Sequence, residues 1–192
     1  MLATNVRGDV MADQNRLADV AHYVIVHCPP DKLGATKLNK VLWYSDVVFY
    51  RMTGRTITGA DTYEKRQFGP VPKDINAVLR KLETSGAIVE RKTPTPAGLR
   101  REFVWITPPP IDKFSAEEIE TLRDIMSAVC DGYSAASISE LTHDALWDET
   151  EIGQSMSVKA GSVIPGEITP DAINWAKGAF DEYCKAGNRV PD

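Results

Sequence analysis

The residues whose types and spacing could support chemistry fall in a few places. Between Leu141 and Trp147, His143 and Asp144 form a neighbouring pair suited to acid-base work, and Trp147 follows His143 by four positions, one turn along a continuing helix. No nucleophile motif accompanies them, so a hydrogen-bonded histidine packed beside Trp147 is the simpler reading. The run Y-E-K-R-Q-F-G-P-V-P from Tyr63 to Pro72 interleaves aromatic and basic side chains ahead of a rigid turn. Tyr63 and Phe68 could stack on bases or serve a protein contact, with Lys65 and Arg66 meeting phosphates, or the loop could fold over the core with its aromatics buried and its charges solvated. His22 and His27, five apart on one helix, point to different faces and make a poor two-ligand metal site. Cys28, Cys130 and Cys184 are far apart and lack a C-x-x-C spacing, so they read as buried reduced thiols.

The motifs that would define an enzyme are missing: no G-x-G-x-x-G, no Walker loop, no G-x-S-x-G and no H-E-x-x-H. The expectation is a protein with no catalytic residues, no cofactor and no metal. With 192 residues, 43% hydrophobic and 26% charged, the chain has an ordinary globular composition and can build a core without disulfide or metal staples. No apolar run approaches the roughly 18 residues that cross a bilayer, and Met1 to Val10 lacks the pattern of a secretory leader, which suggests a cytoplasmic protein without membrane contact. The net charge of -5 conceals a division. Lys32 to Trp105 carries 14 basic and 7 acidic residues, a balance of +7, and the remainder 8 basic and 20 acidic, a balance of -12. Such asymmetry suits a nucleic-acid face, a charged protein partner, or two regions that attract each other.

The elements that must hold these residues follow from periodicity. Leu17, Val20, Ala21, Val24 and Cys28 mark a first helix from Met11, ended by Pro29-Pro30. A second starts at Thr36 as N-cap and carries Leu38, Val41, Leu42, Ser45, Val48, Phe49 and Met52 on one side, with Lys37, Lys40, Asp46 and Arg51 on an opposite, solvated face, until Gly54. Arg55 to Pro72 reads as turns with a short extended piece at Thr62 to Phe68. A third helix runs from Pro72 to Gly86 on Ile75, Val78, Leu79 and Leu82, and Ala87 to Lys92 with Arg100 to Thr107 form a hairpin. Pro108-Pro109-Pro110 marks a subdomain boundary. The capping box Ser115 to Glu118 opens a fourth helix, and a second S-x-x-E at Ser137 to Glu140 opens a shorter one ending near Trp147. Glu149 to Pro165 shows no periodicity, and a last helix begins at Thr169 and closes at Gly187. The fold class is therefore mainly α with a small β-hairpin (α+β), a compact helical domain containing a winged-helix-like helix and hairpin unit.

K-L-N-K-V-L-W-Y-S-D (Lys37 to Asp46), T-G-R-T-I-T-G-A (Thr53 to Ala60) and F-G-P-V-P (Phe68 to Pro72), together with S-A-A-S-I-S-E-L-T-H-D-A-L-W (Ser134 to Trp147), resemble the Panacea-domain antitoxins, a family that includes the SocA-type adaptor antitoxins. The resemblance covers about residues 16 to 165. It implies a non-enzymatic bacterial protein, encoded beside a toxin, that neutralises it by direct contact. For the SocA-type branch it implies a proteolytic adaptor that delivers the toxin to a ClpXP-type AAA+ protease. The expected domain is residues 11–170, divided into 11–107 and 115–170, with a C-terminal helix at 171–187 and flexible termini at 1–10 and 188–192. Tyr63, Arg66, Phe68 and Trp147 are the nominated partner-binding anchors, being aromatic or arginine.

The alternative is a winged-helix DNA-binding transcriptional regulator, with Lys73 to Ser85 as recognition helix and Arg91 to Arg101 as a basic wing. That helix carries Asp74 and Glu83 beside its cations and lacks an Arg, Asn and Gln-rich face for reading base edges, so DNA takes second place.

Overall fold

In the computed structural model, residues 6–95, 98–141 and 144–163 are described. The predicted last helix, Cys184 and His143 lie outside them. Helix α1 spans Val6–His27, α2 Ala35–Thr53, α3 Ile75–Thr84 and α4 Ala116–Gly132, followed by the short helices α5 (Ala135–Leu141), α6 (Ala145–Glu149) and α7 (Val158–Gly161). Among the described residues there are also two antiparallel sheets. Strands β3 (Ile88–Thr95) and β4 (Gly98–Trp105) form the expected hairpin behind α3. Strands β1 (Thr62–Arg66), β2 (Gly69–Val71) and β5 (Ser155–Ser157) form a second sheet in the order β2-β1-β5. The mainly helical α+β class is the one the sequence implies.

The core is a single cluster around α2, which packs against α1, α4, α5, α7, β2 and β4. A helix enclosed on so many sides has no solvated face. Lys37, Lys40, Ser45 and Asp46 are accordingly buried along with Leu38, Val41, Leu42, Trp43 and Phe49, whereas Met52 is exposed. This corrects the reading of α2 as a two-sided helix. Its N-cap is Gly34, without a side-chain cap, rather than Thr36. Its C-terminus ends as expected, with Gly54 at φ 72 sending its N–H to the Tyr50 carbonyl.

By contrast, α3 buries Ile75, Val78, Leu79 and Leu82, one stripe of an otherwise exposed helix. In α4 the capping box is complete, with the Ser115 hydroxyl accepting from the Glu118 N–H and the Glu118 carboxylate accepting from the Ser115 N–H. Leu122, Met126 and Val129 of this helix enter the same core as α1 and α2. Arg16 ties the halves together at the surface, donating to the carbonyls of Ile57 and Lys113, pairing with Glu118 at 2.7 Å and lying over the Phe114 ring.

Two other expectations change. The cap of α5 is Ser134, whose hydroxyl accepts from the Ser137 N–H while Ser137 Oγ accepts from the Ser134 N–H, one turn earlier than the S-x-x-E at Ser137. The stretch from Glu149, expected to be irregular, contributes β5, which closes the second sheet against β1 through Thr62↔Ser157, Tyr63↔Met156 and Glu64↔Ser155, and then α7. Among the described residues no helix is long and apolar enough to cross a membrane.

Candidate functional site

Helix α2 carries a carboxylate into the centre of the protein. Asp46 is fully buried, and its Oδ1 accepts the backbone N–H groups of Ile57 and Thr58 at 2.8 and 2.9 Å. Its Oδ2 accepts the Tyr63 hydroxyl at 2.7 Å and the Thr58 hydroxyl. Four donors therefore converge on one side chain and fix the Thr53 to Ala60 segment and strand β1 onto α2. Burial pushes the carboxyl up to about 6, against the downward pull of those hydrogen bonds. On the same helix, burial draws the Lys40 ammonium down to about 8.

Strand β1 extends the network outward. Its side chains alternate, so Tyr63 and Lys65 turn inward while Glu64 and Arg66 face out. Tyr63 meets the Trp43 ring edge-on, with centroids 5.1 Å apart. Lys65 Nζ donates to the carbonyls of Trp147 and Thr150 at the end of α6, the latter at 2.8 Å, and sits 4.3 Å from the Trp147 ring centroid. An ammonium there satisfies helix-end carbonyls and the ring face together. A Cβ on Gly161 of α7 would stand 2.6 Å from Trp43 Cζ2, so the last described helix closes directly over this core.

The four nominated anchors thus separate into two pairs. Tyr63 and Trp147 are 1% and 7% exposed and hold the fold together, which corrects their nomination as surface contacts. Arg66 and Phe68 are exposed. They flank Gln67 in the β1-β2 turn, where Gly69 takes φ 128, an angle that favours glycine. Phe68 is 59% exposed although its carbonyl accepts the Ser139 hydroxyl at 3.2 Å. Arg66 pairs with Glu64 at 2.9 Å. Beside the turn a groove of about 360 Å³ is lined by Asn39, Glu64, Arg66, Lys73, Asn76 and Arg101 among others, and Asn39 Oδ1 is buried there with no hydrogen-bond partner among the described residues.

The remaining candidates have structural partners. Asp144 is the N-cap of α6, extended in its backbone and accepting the Trp147 N–H at 2.9 Å, so the helix is interrupted at Asp144 where the spacing suggested that it continues. His22 Nε2 hydrogen-bonds the Thr107 carbonyl at 2.9 Å, and burial lowers its pKa. His27 Nδ1 hydrogen-bonds the Tyr23 carbonyl and its ring stacks on Tyr23. In the hairpin, Arg101 forms a two-pronged pair with Glu90, and Arg100 pairs with Glu102. Those acids offset the positive charge that the wing would offer to DNA.

Asp46 and Lys65 read from the sequence as solvated or phosphate-facing charges, and their buried roles escaped that reading because an enclosed helix and a short strand carry no polar-face signal. For Asp46 the available hint was its position in the Lys37 to Asp46 segment that carries the family resemblance.

These features define a mainly helical α+β module whose buried Asp46 and Lys65 brace its loops rather than face solvent. The chain belongs to the SocA-like antitoxin family with a Panacea domain: the model described as "Antitoxin SocA-like, Panacea domain" matches residues 38–148. That membership connects it with toxin-antitoxin systems, in which the partner in general is a protein toxin. No curated protein and no solved structure matches the chain.

Proposed function

We propose that this protein is a non-enzymatic antitoxin of the bacterial cytoplasm that binds its cognate toxin directly, with residues 11–170 as the working domain. The observation that carries the contact surface is Phe68, a large apolar side chain 59% exposed on a turn anchored from behind. A rigid base presenting an aromatic and an arginine is the usual form of an energetic anchor. The neighbouring groove, lined by Asn39, Asn76 and Lys73 beside the Arg66–Glu64 and Arg101–Glu90 pairs, suits a polar segment of the toxin. Delivery of the toxin to a ClpXP-type protease is the further step of this reading, and the acidic composition of the C-terminal third suits a separate contact for it.

The test expresses the neighbouring open reading frame with and without this protein, in strains that have or lack the protease. Rescue confined to the protease-containing strain establishes delivery, rescue in both establishes neutralisation by binding, and a neighbour that stays harmless or stays toxic throughout overturns the antitoxin reading. Phe68→Ala should keep the fold and weaken toxin binding by about 2 kcal/mol or more, roughly 30-fold in Kd, by calorimetric titration. Unchanged affinity moves the contact away from this turn.

A further inference from the structure

Cys28 and Cys130 are separated by 102 positions in the sequence and meet inside the fold, with their Sγ atoms 3.2 Å apart. Cys28 immediately follows α1, where its N–H still bonds to the Val24 carbonyl, and Cys130 lies in the last turn of α4. Both are free thiols and buried. A cleft of about 310 Å³ between the two helices is lined by both cysteines together with Tyr23, His27, Arg123 and Asp131, which gives a small solute an approach to the pair. Two lysines stand on the α4 side of the pair. Lys37 Nζ donates to the Cys130 carbonyl at 3.1 Å, and Lys32 pairs with Asp131 at 2.7 Å.

We propose that Cys28 and Cys130 form a dithiol site that hydroperoxides oxidise to an intramolecular disulfide joining α1 to α4. The two sulfurs have distinct roles. The hydrogen bond between the two sulfurs, with Lys37 and Lys32 nearby, lowers the Cys130 pKa, while the same hydrogen bond and burial raise that of Cys28. The Cys130 thiolate attacks one peroxide oxygen, the O–O bond breaks, and hydroxide (or alkoxide) leaves. Cys28 Sγ then displaces the hydroxyl of the resulting sulfenic acid. The S–S bond forms as S–O breaks, and water departs with the Cys28 thiol proton. Two electrons pass from the sulfurs to the peroxide, and a dithiol reductant reverses the change.

The site is independent of the toxin-binding reading, and its test needs no toxin. The reduced full-length chain is exposed to hydrogen peroxide, quenched with catalase, alkylated under denaturing conditions and mapped by mass spectrometry. A Cys28–Cys130 crosslinked peptide is expected, lighter by two hydrogens than the separate peptides. The thermal midpoint should rise, because the crosslink closes a long loop in the unfolded chain, and should return with dithiothreitol. Alkylation of both cysteines after peroxide, or a crosslink only between molecules, overturns the proposal. With dimedone as trap, Cys28→Ser should accumulate label on Cys130, and Cys130→Ser should leave Cys28 unlabelled. The reverse pattern overturns the assigned roles. The peptide map of the unsubstituted chain decides the disulfide whether or not the serine variants fold.

Discussion

Helices α2 and α3 obey the same 3.6-residue repeat but stand in different surroundings. In α3 the apolar positions Ile75, Val78, Leu79 and Leu82 face the core and everything between them faces water, so periodicity and burial coincide. In α2 the apolar positions are equally regular, yet Lys37, Lys40, Ser45 and Asp46 are buried too, because neighbours surround the helix. Amphipathic spacing therefore locates a helix reliably and says little about its less apolar side. That side is settled by what packs there: for Asp46, the Ile57–Thr58 backbone and the Tyr63 hydroxyl.

The contrast can be broken most severely at Asp46. Asp46→Ala would strand four buried donors and should cost about 3–5 kcal/mol in urea unfolding, with the Thr53 to Ala60 segment losing amide-exchange protection first. A milder probe is pH. Burial raises the Asp46 carboxyl from 3.8 to about 6, so between those values the folded chain holds a proton that the unfolded chain has released. Stability from this group is full below the lower value, falls by about 3 kcal/mol as pH rises through the window, and is level above it. Asp46→Asn should abolish that slope in unfolding curves taken from pH 4 to 7. Lys40, drawn from 10.5 to about 8, gives the opposite limb, with stability climbing through that window as the unfolded chain holds the extra proton.

Gly161→Ala should cost about 1–3 kcal/mol in thermal unfolding, since the new methyl would press on the edge of the Trp43 ring on α2, and a rigid ring yields little. The smallest effect belongs to the outer face of α3, where Arg80→Ala should change stability by no more than about 0.5 kcal/mol. A loss near that of Asp46→Ala would mean that α3 is also enclosed.

Much of the scaffold was legible for local reasons. The stripes of α1 and α3, the proline stop after Cys28, the capping box at Ser115 and the β3-β4 hairpin each have their determinant within a few residues. The second sheet was legible only as an extended piece near Thr62, because β2 and β5 have three residues each, too few to display a period of two. The break before α6 was hidden by a spacing that fits a continuous helix, although Asp144 is a good N-cap by type. Within the candidate site, Arg66 and Phe68 stand at the surface, whereas Tyr63 and Trp147 went inside. Aromaticity suits both fates, and a tertiary partner decides between them. The approach of Cys28 to Cys130 had no sequence signal, since it depends on where two helices end.

Strand β5 also imposes an order in time. Tyr63 sits in the middle strand of a sheet whose far edge is Ser155–Ser157, and Trp43 is covered by Gly161 at the end of the next helix. A chain growing from its N-terminus can form α1 to α3 and the β3-β4 hairpin early, but this part of the core stays open until about residue 160 has left the ribosome. Until then, the aromatic surface around Trp43 and Tyr63 is available to a chaperone or to another unfinished copy. Fragments released by truncation before β5 should therefore aggregate, even though they contain most of the residues that make up the core.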